Sequence, residues 1–178
     1  MIGGMGGRGV LMAGQLLVEA GASAYEHVLM FPNYSGAMRG TDSECTVILS
    51  HHEIWSPVVL HPQAVMVMSR ALRGPFEERL TSGGAVLVDS TLVDGEASRS
   101  DVETFYIPAT RVAQGLGSAL AANLVLLGAY VELTGVFPIE YLEGAVERMM
   151  VGGRRESLLT TNLKALREGA RLMAKYHG

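Results

Sequence analysis

A three-layer α/β/α domain with a largely parallel, mixed sheet is the fold class this sequence predicts, and three observations carry the prediction. The glycine-rich opening, Ile2 to Gly9 read as IGGMGGRG, runs straight into the apolar helical pattern Val10, Leu11, Leu17, Val18. Two short continuous apolar runs, 64–68 and 85–88, have the length and composition of strands covered on both faces. From Ser118, Leu120, Leu124, Leu127 and Val131 recur at helical spacing among small residues, Ala119, Ala121, Ala122, Gly128 and Ala129, that permit close packing. At 178 residues the chain suits one such domain over 1–178.

The elements follow in order. A helix over 9–21 leads to a strand at 27–31, so the opening reads as a βαβ unit. A glycine loop of this kind ordinarily follows a buried strand, yet only Met1 and Ile2 precede it, so the first strand is either a stub or cut short before Met1. The polar, glycine-spaced stretch 32–41 reads as a loop, β-branched 45–50 as a strand, His51, His52 and Glu53 as its turn, and 54–59 as a hairpin partner. Strand 64–68 precedes a short helix over 75–81 ended by Ser82, Gly83 and Gly84. Strands at 85–88 and 104–107 follow, with helical structure at 110–114. The helix from Ser118, expected to be the most buried, stops at Gly135, and Pro138 starts the next. A last amphipathic helix runs from about Leu158 with Leu163, Leu166, Ala170 and Met173 on one face; the segment 151–155 reads as mobile.

Composition narrows the function classes. No apolar stretch reaches the roughly 20 residues of a membrane span, and the chain reads as soluble. The single Cys45 forms no internal disulfide, which makes the reducing cytoplasm the expected setting, and it cannot by itself hold an iron–sulfur cluster, which takes four thiolates. A net charge of −4 with scattered Lys and Arg argues against a nucleic-acid partner. Ten methionines give a weak hint of an adaptable contact surface.

The glycine turn is where another molecule is expected to meet the chain, because backbone N–H groups at a helix N-terminus face outward there. Gly4, Gly6 and Gly9 satisfy G-x-G-x-x-G, so a dinucleotide site has to be weighed; the acid it wants at the end of the second strand is missing, since that end reads Phe31, Pro32, Asn33 and the nearest acid, Glu26, sits at the strand's beginning. A plain strand-to-helix connection without ligand is the bland alternative. Arg39, in the loop with Tyr34 and Met38, has the planar fork for a phosphate or carboxylate, against the alternative of a surface ion pair. His51, His52 and Glu53 read as a solvated turn rather than a metal site, and Cys45 as a buried small hydrophobe. No nucleophile–base motif is present, which points to a chain that helps another chain do chemistry.

Several segments together resemble the γ subunit of 2-oxoacid:ferredoxin oxidoreductases, the 2-oxoglutarate type most of all. Gly4-Met5-Gly6-Gly7-Arg8-Gly9 is similar to the family's G-x-G-G-Q-G, and Pro32 to Cys45 to its P-S-Y-G-x-E-M-R-G-G-T-x-x-C. Val47-Ile48-Leu49-Ser50, Ser56-Pro57, Ile107-Pro108-Ala109-Thr110, Ala122-Asn123, Leu127-Gly128-Ala129, Thr134-Gly135 and Asn162 follow in the family's order. Arg8 stands where the family has Gln, Ser35-Gly36 reverses its order, and Thr41 replaces a Gly.

The resemblance implies a fold like the γ domain of pyruvate:ferredoxin oxidoreductase and a subunit without its own catalytic residues, metal or cofactor. Thiamine-binding α and β subunits, with or without a ferredoxin-like δ subunit, would carry thiamine diphosphate and iron–sulfur clusters. Coenzyme A would be a substrate of the complex and ferredoxin its electron acceptor. It implies that Gly6, Gly7, Arg8, Gly9, Tyr34, Met38, Arg39 and Gly40 face a cofactor or the partner subunits. The alternative is a stand-alone dinucleotide-binding Rossmann-like domain.

Overall fold

The structure, a computed structural model, describes residues 1–34, 42–150 and 158–176. Six strands, β1 (Ile2–Met5), β2 (His27–Tyr34), β3 (Asp42–Ser50), β4 (Ala64–Met68), β5 (Ala85–Asp89) and β6 (Glu103–Ile107), form one sheet in the order β2-β3-β1-β4-β5-β6. β1, β4, β5 and β6 are mutually parallel, whereas β3 runs antiparallel to both its neighbours. The expected mixed, largely parallel sheet is therefore present, with one reversal that the residue pattern does not announce.

Among the described residues six α-helices complete the fold: α1 (Val10–Gly21), α2 (Arg70–Arg79), α3 (Ala109–Gly115), α4 (Ala122–Thr134), α5 (Ile139–Met150) and α6 (Leu159–Ala174). α1 and α3 to α6 share the main core on one face of the sheet, and α2 covers the other through Leu72 and Phe76 against Val65, Val67, Val86 and Val88. α4 lies between β5 and α6 and buries nine of its residues, as its all-round apolar sequence requires. Gly128 and Gly169 bring α4 and α6 together: a Cβ on either would fall on the backbone of the other helix, at Leu166 and Val125.

Six expectations need correction. Gly3 and Gly4 belong to β1 rather than to the turn, because Leu72 and Phe76 press onto the strand where Gly3 has no side chain. The opening βαβ unit is split, since β3 intervenes between β1 and β2. Pro32 and Asn33 lie within β2, paired to Cys45 and Glu44, and β3 begins at Asp42. No strand forms over 54–59, where Trp55 and Val58 are exposed and give a strand no face to bury.

The fifth concerns α2, which starts at Arg70 and encloses Pro75 instead of beginning there. A proline inside a helix forfeits a hydrogen bond and costs about 3 kcal/mol; burial of Leu72 and Phe76 and the Arg73–Glu77 pair offset it. A 3₁₀ turn, 119–121, precedes α4 and turns Leu120 outward, off the helical face its spacing suggested. The segment 151–155 lies outside the described residues.

Candidate functional site

β1 ends at Met5, and its chain turns through Gly6, Gly7 and Arg8 into α1, the Arg8 N–H donating to the Met5 carbonyl at 3.2 Å. Gly7 and Gly9 have φ of 87° and 74°, the left-handed region that a side chain disfavours. Gly9 caps α1 without a side chain, and its carbonyl accepts from the Ala13 N–H at 2.9 Å. The N–H groups of Val10, Leu11 and Met12 therefore precede the helical ladder and have no acceptor within the helix. α1 leaves on one face of the sheet and α2, after the adjacent β4, on the other. The turn thus sits at a topological switch point, where open α/β sheets place their ligands.

Asn123, read in the sequence only as part of the resemblance, proves to be the turn's main support. It is buried, its Nδ2 donates to the Gly9 carbonyl at 3.1 Å, and its Oδ1 accepts from the Leu124 N–H at 3.0 Å. A Cβ on Gly9 would meet Asn123 Nδ2 at 2.5 Å, so the glycine also makes room for this contact. Beside the turn lies a cavity of about 390 Å³ lined by Arg8, Met12, Leu120, Met150, Leu158 and Asn162 among others. Asn162 is buried and donates through Nδ2 to the Met150 sulfur at 2.9 Å. The helical spacing of α6 puts Asn162 on the same buried face as Leu166, Ala170 and Met173, which is the signal in the sequence that marks it.

Of the residues expected at the site, Gly6 to Gly9 are together at this turn, and Gly7, Arg8 and Gly9 line the cavity. Tyr34 ends β2, where its backbone pairs with Ser43. Met38, Arg39 and Gly40 lie outside the described residues. The register sets Asp42 opposite Met5, so a carboxylate missed in the sequence stands beside the turn, engaged within the chain. Arg8 is partly buried and forms no ion pair with another described side chain. Cys45 is fully buried in β3, and burial pushes its thiol up to about 11, the behaviour of a packing residue rather than a nucleophile. Among the described residues no cluster of His, Cys, Asp and Glu could hold a metal ion, and no helix is long and apolar enough to cross a membrane.

The model of the pyruvate ferredoxin/flavodoxin oxidoreductase family matches residues 1–172. The chain belongs to this family. Within the family it is 34% identical over 181 residues to the 2-oxoglutarate synthase subunit KorC of Methanothermobacter thermautotrophicus, covering 97% of this chain and 93% of that one. It is 33% identical to the ketoisovalerate oxidoreductase subunit VorA of the same organism, of which it spans only 35%. The crystal structure of the keto/oxoacid ferredoxin oxidoreductase γ subunit from Geobacter sulfurreducens superposes with a TM-score of 0.82 at 27% identity, covering 98% of this chain and 96% of that one. A 2-oxoglutarate:ferredoxin oxidoreductase from Magnetococcus marinus, with 2-oxoglutarate, coenzyme A and succinyl-CoA bound, shares the fold at TM-score 0.86 and 22% identity, over 98% of this chain and 30% of its own. The γ-subunit fold is thus the one this family member adopts.

Proposed function

We propose that this chain acts as the γ subunit of a 2-oxoacid:ferredoxin oxidoreductase in the cytoplasm, 2-oxoglutarate being the foremost substrate. The observation that carries the reading is its end-to-end match to a relative of nearly the same length named as a 2-oxoglutarate synthase subunit. In the assembled enzyme the 2-oxoacid loses carbon dioxide, its electrons pass to ferredoxin, and the acyl group goes to the coenzyme A sulfur. Thiamine diphosphate and iron–sulfur clusters belong to partner α and β subunits and to a ferredoxin-like δ subunit where one exists.

This chain's part is to face those subunits and the coenzyme A side of the site with its glycine turn. The outward N–H groups at the start of α1 suit a phosphate or a partner carboxylate, and Arg39 adds positive charge. Oxygen-free affinity purification of the chain from its own organism tests the reading. Partners carrying thiamine diphosphate and iron–sulfur clusters, with coenzyme A-dependent 2-oxoacid oxidation in the eluate, are expected. A chain that elutes alone and inactive would overturn it.

A further inference from the structure

The cavity beside the glycine turn differs from an interior void in that its mouth is ringed by apolar side chains left in water. Leu120 is 70% exposed, Met5 50% and Leu158 40%, and all three line the same 390 Å³ space. A small ligand would fill the space and leave those outward surfaces wet, whereas a protein surface covers both. Arg8 is the one charged side chain among the described lining residues. At the floor, Asn162 spends its Nδ2 on a thioether, a weak acceptor, and no described group donates to its Oδ1.

We propose that this cavity is the socket for an apolar side chain on a loop or helix of the thiamine-binding partner subunit, flanked there by an acidic residue that pairs with Arg8. The inference rests on the subunit reading above and locates the docking point within it. Met5, Met12 and Met150 supply flexible walls that adapt to the inserted side chain. Arg8 selects for a carboxylate at the rim, where its fork gives two parallel hydrogen bonds. The Asn162 Oδ1 is placed to accept a backbone N–H of the incoming segment. Buried apolar anchors surrounded by a polar rim are the pattern of interfaces whose energy is concentrated in a few contacts.

The experiment uses the purified complex and the variants Leu120→Asp, Leu120→Met and Arg8→Glu. Leu120→Asp changes a side chain that is mostly in solvent, so circular dichroism of the variant chain should match the parent. Its dissociation constant for the thiamine-binding subunits is expected to rise about tenfold or more, while Leu120→Met assembles as the parent does. Arg8→Glu should weaken assembly as well and remove most of the salt dependence that the parent complex shows. Leu120→Asp and Arg8→Glu complexes that assemble with parental affinity would overturn the socket. So would normal assembly with a raised KM for coenzyme A, which would assign the cavity to a small ligand. Failure of the subunit reading is distinguishable, because then the parent chain itself captures no thiamine-carrying partner.

Discussion

Gly9 shows how much one residue carries at this site. Its φ of 74° and the 2.5 Å approach of Asn123 Nδ2 to the place of a Cβ are independent obstacles to any side chain. Gly7 shares the first, with φ of 87°, but faces open space. Gly9→Ala should therefore destabilise the chain by about 2–3 kcal/mol, combining left-handed strain with overpacking, whereas Gly7→Ala should cost about 1 kcal/mol. Urea unfolding of the two variants checks this, and equal losses would mean that the Asn123 contact contributes nothing. The need for glycine here was legible in the sequence, since a turn that feeds a helix favours it. The reason for the particular glycine was not, because Asn123 lies 114 positions away in the chain.

At the scale of elements, α2 and the loop it holds were the least legible part of the fold. The sequence reading started this helix at Pro75, following the rule that proline favours a first turn. The structure extends it back to Arg70 because Arg73 and Glu77, one turn apart, form a buried pair at 2.8 Å. Arg73 also donates to the Asp94 and Gly95 carbonyls at 2.9 and 2.8 Å and to the Tyr106 hydroxyl at 2.8 Å, so α2 clamps the connection between β5 and β6. Burial pushes the Glu77 carboxyl up, but the Ser98 hydroxyl, the Arg73 guanidinium and the Ser98 N–H outweigh it and hold the carboxyl below its usual value. A depressed native pKa gives stability that is complete above the unfolded glutamate value of about 4.3 and is lost as pH falls through the native one.

Glu77→Gln leaves Arg73 buried without its counter-charge and should cost about 3 kcal/mol at neutral pH. The gap between parent and variant should close on acidification below about pH 4.3. Thermal unfolding from neutral to acid pH reads this gap directly, and a gap independent of pH would show that the carboxylate charge is not what holds the loop. Contrast β4 and β5, which the sequence reading placed within a residue: continuous apolar runs report burial on both faces without needing a partner elsewhere in the chain.

The whole molecule decides between the subunit reading and the dinucleotide alternative. A dinucleotide fold sets two parallel halves on either side of the first strand, and the acid that holds the ribose ends the second strand of the first half. On the β4 side such a half exists, with β4, β5 and β6 parallel to β1. On the other side the neighbour is β3, antiparallel, so a hairpin of β2 and β3 stands where the rest of the first half would be. Periodicity marks each of these strands but says nothing of their direction, which is why the sequence left both readings open. Gly9 is likewise occupied by Asn123, so the third glycine of the G-x-G-x-x-G pattern admits a helix contact from α4.

The chain should therefore show no saturable binding of NAD or FAD by titration calorimetry at ligand concentrations up to about 1 mM, the affinity of weak, non-selective contact. Micromolar binding that Gly9→Ala abolished while the chain stayed folded would restore the dinucleotide reading. Its absence, with coenzyme A-dependent activity appearing only when the partner subunits are present, would place the chemistry between chains. That division suits a fold in which Met5, Leu120 and Leu158 stay exposed around the turn that its topology marks for contact.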